Sequence, residues 1–233
     1  MGIGETSLQC SALELERAPL RLALAEPSFS ALWPEHVVAC LGALSAEGYW
    51  QDSRRQQSVQ MLWGDARQQL QYMPKDLRLD LILLDAFSPG KCPQLWSEEF
   101  IQSLAALLAP GGRLLTYCRA AAVRNSLRLA GLELRSLLPK PGDVAGWSSG
   151  TLAFRLNEYE QYAPEIGPGW RGLSVMEEEH LQTRAGVPYR DPTGSDTAAL
   201  ILKRRQHEQA FVELPSTSAW KRKWGLARQA CNF

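Results

Sequence analysis

Leu79-Asp80-Leu81-Ile82-Leu83-Leu84-Asp85-Ala86-Phe87-Ser88-Pro89 is the stretch on which the fold turns. Residues 79–84 carry a single polar side chain, Asp80, as a parallel strand covered on both faces requires. The run ends on a carboxylate and enters an aromatic loop stiffened by Pro89 and Pro93. In open parallel sheets ligands bind beyond the carboxyl ends of the strands, so Asp85 stands where chemistry is expected.

Downstream, residues 97–108 have helical spacing, and Ala109-Pro110-Gly111-Gly112 reads as a turn. A strand over 113–118, a helix over 121–130 closed by Gly131 and a strand over 132–137 follow. Upstream, Ser58-Val59-Gln60-Met61-Leu62-Trp63 reads as a strand, running into Gly64-Asp65-Ala66-Arg67 and a short helix over 68–72. Val37, Val38, Leu41 and Leu44 form the stripe of an amphipathic helix over 34–48 that Gly48 stops. Residues 8–15 read as a short buried strand ending near Glu14, and helical spacing resumes over 19–25. Strands alternating with helices predict an α/β, Rossmann-like, doubly wound parallel sheet. Beyond 139 the chain is richer in Gly, Pro and charge, with a last strand over 147–156, a short helix over 177–183 and a second apolar run over 197–202. The expected organisation is a Rossmann-like domain over 1–156 and a C-terminal extension over 157–233.

Three acids fall just after successive strands: Glu14, Asp65 and Asp85. Glu14 suits the two ribose hydroxyls of a nucleoside cofactor, and Asp65 with Ala66 suits an adenine. Each alone reads equally well as a helix cap. Three in register read as one site.

A chain of 233 residues buries one sizeable core with an appendage. With 45% hydrophobic and 21% charged residues it has ordinary globular composition, and its apolar runs are far too short to cross a bilayer. The first nine residues lack a basic region followed by an apolar one, so a cytoplasmic location is expected. Cys10, Cys40, Cys92, Cys118 and Cys231 form no C-x-x-C pair, and His36, His180 and His207 lie far apart, so no metal is expected. Formal net charge is zero, but from Lys203 onward seven Lys/Arg face only Glu208 and Glu213. A basic tail on an acidic body suits a nucleic acid, and equally a solvated terminus.

The stretch from Leu83-Leu84-Asp85 through Trp96, then Pro110-Gly111-Gly112-Arg113-Leu114-Leu115-Thr116-Tyr117 and Ala122-Val123-Arg124-Asn125-Ser126-Leu127, resembles the MnmC-like methyltransferase family. The resemblance covers about 8–150, and the tail with Tyr189-Arg190-Asp191-Pro192 and Trp220-Lys221-Arg222-Lys223-Trp224 is similar to the extension of the stand-alone members, without the oxidase domain. It implies N-methylation of the aminomethyl group on the wobble uridine of tRNA, with S-adenosyl-L-methionine as cofactor and tRNA as partner. On that reading Asp85 is catalytic; Glu14, Asp65, Ala66 and Asp85 hold the cofactor; and Phe87, Ser88, Pro89, Trp96, Lys221, Arg222 and Lys223 hold the substrate. Phe87 reads equally well as core packing, and Trp96 reads better as core packing than as a substrate contact. Lys203, Arg204 and Arg205 would add charge to the tail, and Trp220 and Trp224 would stack on a base or ribose.

The family's first strand and glycine-rich loop should precede residue 8. Gly2-Ile3-Gly4 has no strand before it, and Glu5 to Leu8 is too short for the crossover a parallel strand needs. The expectation is a chain truncated at its N-terminus, or a remnant that binds tRNA without catalysis, with two apolar strand edges left unpaired. A methyltransferase acting on a small amine is the remaining alternative. Oligomeric state has no signal in the sequence.

Overall fold

A computed structural model describes residues 7–139, 148–157 and 166–226. Gly2-Ile3-Gly4, Trp147, Arg228 and Cys231 lie outside the described residues. The chain divides into two compact units, Met1–Pro74 and Lys75–Phe233.

The first unit runs β1 (Leu8–Glu14), α1 (Ala18–Ala25), α2 (Pro27–Ser30), α3 (Glu35–Glu47), β2 (Tyr49–Asp52), β3 (Gln57–Trp63) and α4 (Ala66–Gln69). Its sheet has the order β1-β3-β2, with β1 parallel and β2 antiparallel to β3. Helix α3 stops at Gly48, whose φ of 76° is a left-handed conformation that costs a residue with a Cβ but not glycine. That turn sends the chain straight into β2, a strand too short to announce itself by alternation. The expectation that residues 8–15 are buried is corrected. Most of β1 is exposed, Leu8 at 57%, and among the described residues β3 alone pairs with it.

The second unit begins with β4 (Leu79–Leu83) and continues α5 (Glu98–Leu107), β5 (Leu108–Thr116), α6 (Ala121–Leu129), β6 (Glu133–Leu137) and β7 (Gly150–Phe154). Two short strands, β8 (Ile166–Gly167) and β9 (Trp170–Gly172), precede α7 (Val175–Leu181), α8 (Ala198–Phe211) and α9 (Thr217–Lys223). The sheet order is β4-β5-β7-β6-β9-β8. Only β4 and β5 pair in parallel; β7 lies antiparallel between β5 and β6, and β9 and β8 extend the sheet in antiparallel fashion. The fold is therefore α/β with mixed sheets, which corrects the expected all-parallel pairing. The predicted turn at 109–112 survives inside β5 as an irregularity, with Gly111 at φ 80° and the β4 register jumping from Leu79↔Leu108 to Leu81↔Arg113.

Strand β4 is apolar on both faces but covered on one. Ile82 and Leu84 are buried, whereas Leu81 and Leu83 are 52% and 69% exposed, because among the described residues β4 pairs with β5 alone. Helix α5 is started by Ser97, whose hydroxyl accepts from the Phe100 N–H, and buries Phe100, Ile101, Leu104 and Ala105 in one stripe. It packs against α6.

Residues beyond 157 are built into the second unit. Tyr189 bridges to Ser97, the Tyr189 carbonyl accepts from the Glu98 N–H at 2.9 Å, and Glu99 accepts from the Asp191 N–H at 2.7 Å. Helix α8 starts within the second apolar run, at a Thr197 cap, with Ile201 fully buried. The deepest tie is polar. Arg124 on α6, 1% exposed, donates to Thr151, Ser136, Ser148, the Gly150 carbonyl and, at 3.0 Å, to Glu177 on α7, which is itself fully buried. Glu177 also accepts from Ser136, Arg171 and both the hydroxyl and N–H of Ser174, closing a capping box. Burial alone would raise its pKa. The hydrogen bonds from Ser136 and Ser174 and the Arg124 charge outweigh it and hold the carboxyl at about 2.

His180, one turn along α7, stacks on Trp220 of α9 with ring centroids 4.0 Å apart. Burial, assisted by the charges of Arg124 and Lys221, brings its pKa down from 6.5 to about 4, so the ring is neutral at pH 7. A depressed folded-state value means that the unfolded chain takes up the proton first. The stability linked to His180 is therefore present above pH 6.5 and lost as pH falls toward 4. Glu177 adds a further loss between pH 4.5 and 2 by the same sign. We expect His180→Phe, which keeps a stacking ring but cannot titrate, to lose less thermal stability than the parent between pH 6.5 and 4. Melting followed by circular dichroism decides it. Parallel curves would place the acid sensitivity elsewhere.

Candidate active site

In the first unit the two candidate acids come together. The Gly64 N–H donates to the Glu14 carbonyl at 2.9 Å, so the carboxyl ends of β1 and β3 sit side by side. Glu14 is exposed, one oxygen accepting from the Leu15 N–H. Asp65 is committed locally. Its carboxylate accepts from the Arg67 N–H, capping α4, and pairs with the Arg67 guanidinium at 2.6 Å. The hydrogen bond from that guanidinium holds its pKa below the usual carboxylate range. Ala66 follows as the first residue of the helix. The capping role expected of a lone strand-end Asp is what the geometry gives Asp65.

In the second unit Asp85 is exposed at the carboxyl end of β4, where the Leu84 N–H still donates to the Leu115 carbonyl at 2.8 Å. The loop beyond it is fixed through its backbone. Trp96 Nε1 donates to the Phe87 carbonyl at 2.6 Å, and Tyr117 Oη donates to the Ala86 carbonyl at 2.7 Å. The Ser88 carbonyl accepts from the N–H groups of Lys91 and Cys92, closing the loop in a tight turn. With its main chain held, the loop turns the Phe87 ring outward, 76% exposed, two residues beyond Asp85. Ser88 is exposed and Pro89 half-buried.

Trp96 corrects a sequence expectation. It is fully buried, with its indole edge-on to Tyr117 at 6.1 Å, so it supports the loop from beneath and offers no face to a substrate. The same holds for Trp220, 5% exposed, whose Nε1 donates to the Met176 carbonyl. Trp224 donates to Glu179. Arg204 pairs with Asp196 and Arg205 donates to the Val187 and Ala185 carbonyls, so these two cations hold the fold together. Lys221, Arg222 and Lys223 are exposed on α9, Lys223 reaching Glu179 at 2.6 Å.

Two residues that matter were not singled out from sequence. Tyr117 follows β5 as Asp85 follows β4, and reading every strand end would have found it. Arg124 interrupts an apolar helical stripe between Ala121 and Leu127, the mark of a buried, paired cation. Among the described residues no group of three or more His, Cys, Asp or Glu is placed to hold a metal, and no helix is long and apolar enough to cross a membrane. For a nucleoside cofactor, the exposed Glu14 carboxylate fits a ribose diol. A glycine-rich turn leading from a strand into a helix, which would cradle the remainder of such a cofactor, is not among the described residues.

Residues 30–141 match a family model described as S-adenosyl-L-methionine-dependent methyltransferase. The chain is similar to the tRNA 5-methylaminomethyl-2-thiouridine biosynthesis bifunctional protein MnmC of Pseudomonas savastanoi pv. phaseolicola, 28% identical over 246 residues, covering 90% of this chain and 36% of that protein. With the protein of the same name from Azoarcus sp. it is 45% identical over 122 residues, 50% of this chain and 19% of that protein. The chain thus spans only about a third or less of the length of these relatives. Among solved structures, MNMC2 from Aquifex aeolicus superposes with a TM-score of 0.63 at 19% identity, over 88% of this chain and 69% of that one, a likeness of fold. The family match and these relatives together support an MnmC-like S-adenosyl-L-methionine-dependent methyltransferase.

Proposed function

We propose that this chain carries out the methyl-transfer step of tRNA wobble-uridine modification in the cytoplasm, placing a methyl group on the nitrogen of an aminomethyl substituent. The observation that carries the proposal is the loop after β4: an exposed carboxylate and, two residues on, an exposed aromatic ring, on a backbone pinned at two consecutive carbonyls. An amine must present an unprotonated lone pair in line with the bond it attacks. Asp85 accepts an N–H hydrogen bond from the amine, aims the lone pair and takes the proton. The Phe87 ring stacks on the uridine that bears the amine, flanked by Ser88 and Pro89. Glu14 holds the ribose of the cofactor, with Asp65 and Ala66 beside it. S-adenosyl-L-methionine, when bound, supplies an electrophilic methyl group.

The exposed cations of α9 supply the polyanion contact on this reading. Replacing Lys221, Arg222 and Lys223 by Ala is expected to weaken tRNA binding and flatten its dependence on salt by up to about one unit of slope per cation. Cofactor binding is expected to stay unchanged. A triple variant that binds tRNA like the parent across a salt series would turn the reading toward a small amine substrate. A second reading is a tRNA-binding chain without catalysis. Calorimetric titration with S-adenosyl-L-methionine separates the two, since only a competent site saturates.

A further inference from the structure

We propose that Tyr117 is a positioning residue, a hydroxyl clamp that holds the Asp85–Phe87 loop in the geometry needed for catalysis. The proposal rests on the role given to Asp85 above. Three observations carry it. The Tyr117 hydroxyl donates to the Ala86 carbonyl at 2.7 Å across 31 residues of sequence, one peptide away from the Phe87 carbonyl held by Trp96. The two adjacent peptide planes that flank Phe87 are thereby fixed from two directions, which sets where Phe87 points and anchors the carbonyl of the residue that follows Asp85. The two donors also touch each other, ring edge to ring face, so neither moves without the other.

Second, Tyr117 is itself on a rigid base. Its neighbour Thr116 accepts the Cys118 N–H on its hydroxyl, and the Cys118 carbonyl accepts from Thr151 at 2.7 Å. Gly150 of β7 lies so close beneath that a Cβ there would collide with the Thr116 carbonyl and crowd the Tyr117 Cα at 3.0 Å. The phenol therefore stands on a backbone that cannot shift to follow a wandering loop. Third, Tyr117 is 47% exposed at the same sheet end as Asp85, so the clamp is not core packing. Burial, together with the negative charge available at Cys118, Asp85 and Cys92, moves the phenol pKa upward, so the hydroxyl keeps its proton and remains a donor across the working range.

Tyr117→Phe removes the hydroxyl and leaves the ring, so folding is preserved. Hydrogen–deuterium exchange, measured on the full chain, is expected to rise in peptides spanning 84–92 and to stay at parent levels in α5 and β7. Turnover of tRNA methylation is expected to fall about tenfold to a hundredfold with KM for tRNA little changed, as small misplacements of a reacting group do. In an Asp85→Asn background the same substitution is expected to add nothing further, because Tyr117 acts through Asp85. Unchanged exchange at 84–92 overturns the clamp, and faster exchange with unchanged turnover overturns the positioning role. So does a full additive loss in the double variant. If Asp85→Asn keeps parent turnover, or the parent chain transfers no methyl group, it is the proposed activity that fails, and the exchange experiment alone then decides the clamp.

Discussion

Glu177→Ala is expected to destabilise the second unit by about 3–5 kcal/mol, the cost of stripping one partner from a buried ion pair. Arg124 would remain 1% exposed with its charge uncompensated, and Ser136, Arg171 and the Ser174 cap would lose their acceptor together. The network joins α6, β6, β7 and α7, so the loss falls on the joint between the sheet and the helices beyond 157. In a unit of this size it corresponds to a melting temperature lower by about 6–20 °C. Replacing both partners, as Arg124→Met with Glu177→Leu, is expected to recover a large part of the loss, because the pair stabilises little once its desolvation is counted. Urea unfolding followed by indole fluorescence measures both. A single-variant loss below about 1 kcal/mol would show that water reaches Arg124 and that the joint is held by apolar packing instead.

That joint was hidden in the sequence, whereas the local signals were plain. The apolar run of β4, the start of α5 near Ser97 and the Gly48 stop are decided within a few residues, by hydrophobic pattern and backbone conformation, and they appear at nearly the expected positions. What distant residues decide was not legible. Antiparallel β7 between β5 and β6 depends on a chain reversal with no periodicity of its own. The roles of Trp96 and Trp220 depend on burial: near a carboxylate or a run of cations a tryptophan reads as a stacking surface, yet both indoles are inside and spend their N–H on backbone carbonyls. Arg204 and Arg205 likewise read as part of a basic tail, but their fork of donors is used on Asp196, Val187 and Ala185. Around the site, Asp85 and Phe87 were legible because a strand end exposes whatever follows it. Tyr117 was passed over because the second strand end carries no charge to attract notice.

Asp85→Asn is expected to lower methyl transfer to tRNA by about a hundredfold to ten-thousandfold, the range that a positioned general base contributes. The substitution is nearly isosteric. The backbone on which Asp85 sits is held by the Leu84–Leu115 hydrogen bond on one side and the clamped Ala86 carbonyl on the other, so the amide would occupy the carboxylate's place. An amide oxygen still accepts an N–H hydrogen bond, and substrate binding is expected to change by no more than about twofold, well under 1 kcal/mol. It cannot take the proton, so the nitrogen must lose it to water, and the loss appears in kcat with KM nearly constant. Raising the pH shifts the amine toward its neutral form in both proteins, so deprotonation of free substrate should not rescue the variant. Transfer of labelled methyl groups to tRNA, measured over a pH series, checks each point. Turnover within about threefold of the parent would remove Asp85 from proton transfer. The exposed carboxylate would then be an orienting acceptor only, a role its amide fills as well.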